Sequence, residues 1–146
     1  MQKITPFLWY DGKAEEAARL YTSIFKNSKL LSSNPMSASI EVEGQSLILF
    51  NGGPMFQFNP SFSLSVSCAT QAEIDEYWDK LIADGGAESR CGWLTDKYGL
   101  SWQIVPAHLG SLLGGPDAAG SKRAMQAMMQ MNKMDIKALE DAYNDR

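Results

Sequence analysis

Two helical patterns about 60 residues apart constrain this chain more than any other feature of its sequence. In GKAEEAARLYTSIF, Ala14, Ala17, Ala18, Tyr21, Ile24 and Phe25 recur at helical spacing. Placing the first four over Ile74, Tyr77, Trp78 and Leu81 superposes two apolar stripes. Each stripe follows an extended segment. The first follows ITPFLWYD, with Phe7 and Trp9 on one face and Pro6, Leu8 and Tyr10 on the other. The second follows SFSLSVSC, where Phe62, Leu64, Val66 and Cys68 alternate with Ser61, Ser63, Ser65 and Ser67. One βαβββ unit cannot bury both faces of its sheet. Two copies with helices outside therefore predict an α+β fold, a curved mixed sheet whose inner face lines a cavity.

Local signals support this frame. Asp11 or Gly12 can cap the first helix, and Glu15 and Glu16 suit the positive end of its dipole. KLLSSNPMSASIEVEGQSLILFNGG reads as three strands broken at Asn34-Pro35 and Glu43-Gly44, the last two forming a hairpin. Thr70-Gln71-Ala72-Glu73 fits a capping box, and Asp84-Gly85-Gly86 ends the second helix. Short strands follow in AESRCGWLTDKYGLSWQIVP, with a turn at 96–99 and Pro106 closing the last. The rest is a helical tail. Ser121 is its first candidate N-cap, Met125, Met128 and Met129 share a face, and Asp135 can cap a short helix carrying Ile136, Leu139 and Tyr143. Such a tail packs on the sheet of its own chain or of a twin, or else offers a groove to a different partner. The expected organisation is a single domain over residues 1–146, with module one over about 1–55, module two over about 60–106 and the tail over about 107–146.

Composition excludes several classes of function. A chain of 146 residues can bury a self-sufficient core. Thirteen Lys+Arg against 17 Asp+Glu leave no basic stripe for nucleic acid. No apolar run reaches the roughly 20 residues that span a bilayer, and no export signal precedes the fold, so the expectation is a cytoplasmic protein with free thiols at Cys68 and Cys91. HExxH, CxxC and P-loop motifs are absent. Cys91 and His108 form a conceivable nucleophile pair, but an unpaired cysteine is more often a small buried hydrophobe, and His108 follows the predicted sheet. Glu41 and Glu43 read as the solvated end of a hairpin.

Four segments carry a family resemblance: PFLWYDGKAEEAARLYTSIFKNSKL, FNGGPMFQFNPSFSLSV, CGWLTDKYGLSWQIVP and AMQAMMQMNKMDIKALEDAY. With them the chain resembles the vicinal oxygen chelate superfamily of glyoxalases, bleomycin-resistance proteins and extradiol dioxygenases. Within it the match is to the PhnB-like family labelled 3-demethylubiquinone-9 3-methyltransferase. The resemblance implies paired βαβββ modules and a homodimer in which modules pair or exchange between subunits. It also implies, for metal-dependent members, a divalent cation held by a His or Gln near the start of each first strand and a Glu near the end of each last. Those positions fall near Ile4 and Ser63, at Gln103, and around Leu49 to Asn51. None offers a carboxylate or an imidazole, which such cations need to offset their dehydration. An empty metal site and no cofactor are therefore expected. Methyl transfer fares no better, since Gly52-Gly53, Gly85-Gly86 and Gly114-Gly115 do not form a glycine-rich strand-to-helix turn.

The inner face remains as the candidate site. Ser63, Ser65, Ser101 and Gln103 supply hydroxyls and an amide, with Trp93 and Asn51 beside them. Leu8 and Tyr10 are expected as an apolar wall, with Phe56 and Phe58 on a covering loop. The expected function is metal-independent binding of a small, partly aromatic or amphipathic molecule, with no catalytic residue assigned. The alternatives are a metal-dependent lyase, isomerase or dioxygenase of the superfamily, and the methyltransferase of the family label.

Overall fold

The computed structural model describes residues 2–146, and the chain divides into two compact units, Met1–Phe58 and Asn59–Arg146. The first runs β1 (Phe7–Tyr10), α1 (Ala14–Ile24), β2 (Ser28–Ser33), β3 (Ser37–Val42) and β4 (Gln45–Asn51). Its sheet order is β1-β4-β3-β2, with β1 parallel to β4 and the other pairs antiparallel. The second unit repeats this plan with β5 (Ser63–Cys68), α2 (Gln71–Ile82), β6 (Ala87–Glu88), β7 (Trp93–Thr95) and β8 (Ser101–Pro106), in the order β5-β8-β7-β6. Each module thus closes its own four-stranded mixed sheet. The fold is α+β, as the repeat predicts.

The superposed stripes are the cores of the two modules. Ala14, Ala17, Ala18 and Tyr21 are all buried, as are Ile74, Tyr77, Trp78 and Leu81. Against α1 lie Leu8, Tyr10, Ala38, Ile40, Leu47 and Leu49. Against α2 lie Cys68, Leu94, Trp102 and Ile104. Module one sets three alanines of its helix against bulky strand residues, whereas module two places Tyr77 and Trp78 on the helix.

Caps differ from expectation in two places. The residue before α1 is Lys13, which makes no side-chain cap; the Ala14 N–H is instead accepted by Asn51 Oδ1 from the end of β4, 2.8 Å away. Neither Asp11 nor Gly12 performs that role. In the tail, α3 (Leu109–Leu113), α4 (Ala118–Met128) and α5 (Ile136–Asn144) follow β8. The cap of α4 is Asp117, which accepts from Gly120 N, while Ser121 lies within the helix and accepts from Gly115 N. Thr70 and Asp135 cap α2 and α5 as their sequences suggest.

The tail packs on its own module. Leu112, Ala124, Met134 and Leu139 form a small core that Val105 joins from the end of β8. Polar ties fasten it: Gln71 bridges Met134 O and Ile136 N, Lys133 pairs with Asp75 at 3.0 Å, and Cys91 and Gly92 donate their N–H groups to Met131 O and Asn132 O. Among the described residues, no helix is long and apolar enough to cross a membrane.

The β7–β8 turn is organised by Asp96, only 2% exposed. Its Oδ1 accepts from Tyr98 N at 2.9 Å and Leu100 N at 3.1 Å, and its Oδ2 from the Trp102 indole at 2.9 Å. Gly99, at φ +87°, completes the bend. Buried hydrogen bonds to a charged acceptor are among the stronger ones, and removing the acceptor strands three donors. Asp96→Ala is expected to destabilise the protein by about 3 kcal/mol in urea titration, with red-shifted Trp102 emission. A loss below about 0.5 kcal/mol, the level of an ordinary surface substitution, would refute this role.

Candidate functional site

Each helix covers one face of its sheet, leaving the opposite face to be read residue by residue from strand register. In module two, Ser63 pairs with Ser101 and Ser101 with Thr95; Ser65 pairs with Gln103 and Gln103 with Trp93. Directly paired residues point to the same side of a sheet. These two rows therefore lie opposite the face that carries Leu94, Trp102 and Ile104 against α2. Gln103 Nε2 donates to Ser63 Oγ across 3.0 Å, so the two are already coupled. Five of the residues expected at the site, Ser63, Ser65, Trp93, Ser101 and Gln103, thus share one side of the sheet, where Ser101 is buried at 1% exposure and the other four reach the surface. Thr95 completes it. The sequence hides Thr95 because the register of the three-residue β7 depends on the Asp96 turn.

Module one departs from expectation. Leu8 and Tyr10 are each 3% exposed and face the helix, where the Tyr10 hydroxyl meets that of Tyr21 at 2.9 Å. Asn51 is occupied as the α1 cap and by donation to Pro35 O at 3.1 Å. These three residues do not line the open face. In FLWY every side chain is apolar, so alternation alone does not say which pair meets the helix; the hydroxyl of Tyr21 is what distinguishes Tyr10. The open face instead carries Phe7 paired with Ile48 and Trp9 paired with Phe50. Phe56 stands edge-on to Trp9 with centroids 5.0 Å apart, whereas Phe58 packs edge-on to Tyr10 at 5.2 Å.

The two modules can be aligned by their closing bonds, Gly52 N to Tyr10 O and Ala107 N to Cys68 O. Counting back along the strands, the module-one counterparts of Ser63 and Gln103 are Thr5 and Ile48. These correct the positions counted from sequence, Ile4 and Leu49 to Asn51, by small shifts of register. Three of these positions offer neutral hydroxyl or amide oxygens and Ile48 offers no donor, a set that does not fit a divalent cation. Among the described residues, no three His, Cys, Asp or Glu side chains cluster in a way that can hold a metal ion. Glu41 is paired with Lys29 at 3.5 Å, and Glu43 sits in the hairpin turn at φ +50°.

A family model described as 3-demethylubiquinone-9 3-methyltransferase matches residues 2–105. The chain belongs to this family. The PhnB protein of Bacillus cereus is 37% identical, with a TM-score of 0.66 over 73% of this chain and 100% of that one. Two more distant structures show the same fold. The fosfomycin resistance protein FosX of Listeria monocytogenes, complexed with Mn(II) and sulfate, is 15% identical, with a TM-score of 0.56 over 75% of this chain and 94% of that one. A glyoxylase/bleomycin resistance protein/dioxygenase domain from Frankia is 17% identical, with a TM-score of 0.51 over 73% and 92%. None of the curated proteins matches the chain. These two distant likenesses are of fold alone. The matched residues end just before Pro106, so the fourth segment quoted for the resemblance, in the tail, is not among them.

The remaining candidates for chemistry, His108, Cys91 and Cys68, all lie in the second unit. His108 sits at the start of α3 with Nε2 3.7 Å from Glu140. Cys91 is half-buried in a left-handed turn at φ +58°, bonded through its N–H to the tail. Cys68 is fully buried, and burial pushes its thiol up to about 12, with Glu73 adding to the shift. It is therefore a neutral thiol at physiological pH, and neutral thiols are poor nucleophiles. The folded state holds this proton more tightly than the unfolded chain. Its contribution to stability is complete below the ordinary thiol value near 9 and is lost as pH rises through about 12. Titration with a thiol reagent at pH 8 is expected to modify Cys91 in the native protein and Cys68 only after denaturation. Equal native labelling rates would contradict this.

Proposed function

We propose that this family member is a metal-independent small-molecule-binding protein whose ligand lies on the open face of module two. The observation that carries the reading is the pair of rows Ser63–Ser101–Thr95 and Ser65–Gln103–Trp93. With Ser101 buried beneath them, the other members form a surface of hydroxyls, one carboxamide and one indole with no ionisable side chain. Such a surface orients an uncharged or partly aromatic molecule by hydrogen bonds and stacking, and it lacks the anionic ligands a cation needs. The Ser63–Gln103 bond holds the amide in one orientation, leaving Gln103 Oε1 as an acceptor. The protein is expected to work as a homodimer in the cytoplasm.

Methyl transfer, the activity in the family's description, is the second reading. The strand-to-helix junctions test it. Residues 11–13 and 69–70 join β1 to α1 and β5 to α2, and Gly12 is their sole glycine. They do not make the glycine-rich turn that often receives an adenosine-bearing cofactor.

A thermal-shift screen of small aromatic and amphipathic compounds tests the proposal, with hits repeated on Gln103→Ala and Ser63→Ala. Loss of affinity of about tenfold in each is expected, the size of one good hydrogen bond to a ligand. Hits that bind both variants unchanged would place the ligand elsewhere. Titration with Mn(II), Zn(II) or Ni(II) is expected to show no stoichiometric tight binding. Saturable heat on adding S-adenosylmethionine would instead favour the methyltransferase reading.

A further inference from the structure

The open face of module one carries an aromatic corner that packing alone does not require. Trp9 stands between two near-perpendicular neighbours, Phe50 at 5.5 Å and 69° and Phe56 at 5.0 Å and 75°. Phe7 adjoins Phe50 at 5.3 Å and 40°. Phe7 and Phe56 are each 58% exposed, so these rings are held in place yet remain open to solvent.

The backbone is built around the indole. Trp9 Nε1 donates to Gly53 O at 2.9 Å, which fixes the ring's rotation. A Cβ on Gly52 would lie 2.2 Å from the Trp9 ring, so only glycine lets the ring lie there. Gly53, at φ +96°, then turns the chain and brings Phe56 back to the indole. Gly52, where a Cβ has no room, and Gly53, whose positive φ turns the chain, seat a half-buried indole beside the exposed Phe56, a preorganised arrangement.

The ring angles select the ligand. None of the three contacting pairs is parallel, so these pairs do not form the slot that sandwiches a flat molecule. Walls set near right angles suit a compact, roughly tetrahedral group, whose charge lies within about 6 Å of more than one ring centroid. The chain's net charge of −4 favours a cation over an anion, and Lys29, on the same sheet face, is already paired with Glu41. We infer that the corner formed by Trp9, Phe50 and Phe56, with Phe7 beside it, binds the methylated ammonium group of an organic cation. This deepens the reading of small-molecule binding by naming a ligand class for module one, and it rests on that reading.

The test uses the full chain and a matched pair of probes, choline and its uncharged isostere 3,3-dimethylbutan-1-ol, at constant ionic strength. Binding is read from the probes' methyl proton resonances and the Trp9 indole N–H resonance. Choline is expected to bind at least fivefold more tightly than the alcohol, with upfield-shifted methyls, and Phe56→Leu is expected to remove most of that difference. Gly52→Ala should do the same by displacing the indole; because it can also disturb folding, the exposed Phe56→Leu is the deciding variant. Equal affinity for the two probes, no binding of choline, or a preference unchanged in Phe56→Leu would each overturn the inference. The proposed function is judged separately by the response of screening hits to Gln103→Ala, so the failure of one is distinguished from the failure of the other.

Discussion

Burial of one amphipathic helix against one face of a four-stranded sheet governs each half of this protein. Every other property follows from which side chains that burial consumes. In a βαβββ unit the parallel pair, β1 with β4 or β5 with β8, can close only if the helix crosses over a single face of the sheet. That face must be apolar at every second position. The opposite face is released from the demands of the core, and there the two modules have diverged. Module one spends the freedom on Phe7, Trp9, Ile48 and Phe50, module two on Ser63, Ser65, Ser101 and Gln103. A duplicated architecture thus presents two chemically unlike surfaces, one aromatic and one of hydroxyls and amide.

What the sequence reveals follows the same division. The helices, the hairpin at Glu43-Gly44 and the repeat are legible because burial imposes a period: 3.6 on Ala14, Ala17, Ala18 and Tyr21, and 2 on SLSVSC. The serine face is legible for that reason, since serine and apolar residues alternate without exception through β5. The face of β1 is not, because Phe7, Leu8, Trp9 and Tyr10 carry no polar contrast. Asn51 fails for a different reason. Its role as the cap of α1 spans 37 residues, and no local pattern announces a cap supplied from another strand. Asp96 is visible in sequence as a turn residue, but its bond to the Trp102 indole, which links the turn to the core, emerges only from the register of β7 and β8.

Asp96 also shows how the module-two surface is held in place. Trp102 lies between Ser101 and Gln103 on β8 and points the other way, into the core, where its indole is held by Asp96. Because side chains alternate strictly along a strand, fixing Trp102 on one face fixes its two neighbours on the other. A one-residue slip of β8 would send Trp102 to the open face and Ser101 and Gln103 into the packing against α2. The buried carboxylate therefore specifies register, a role for which buried polar groups are well suited even when their net contribution to stability is modest.

The tail extends this argument beyond the matched residues. It begins at the end of β8, its core takes in Val105, and its backbone receives the N–H groups of Cys91 and Gly92 at the entry to β7. Gly92 tolerates no side chain there: a Cβ would lie 2.9 Å from Ile104 O and 3.0 Å from Met134. The tail thus clamps the entry of β7 and the exit of β8, while the Asp96 turn joins the same two strands at their opposite ends. Trp93 follows Gly92 directly and pairs with Gln103, so the tail and the turn between them bracket the rows that carry the candidate site. A three-residue strand such as β7 has too few ladder bonds to hold its own register; restraint from both ends is what allows so short an element to present Trp93 and Thr95 on a defined face.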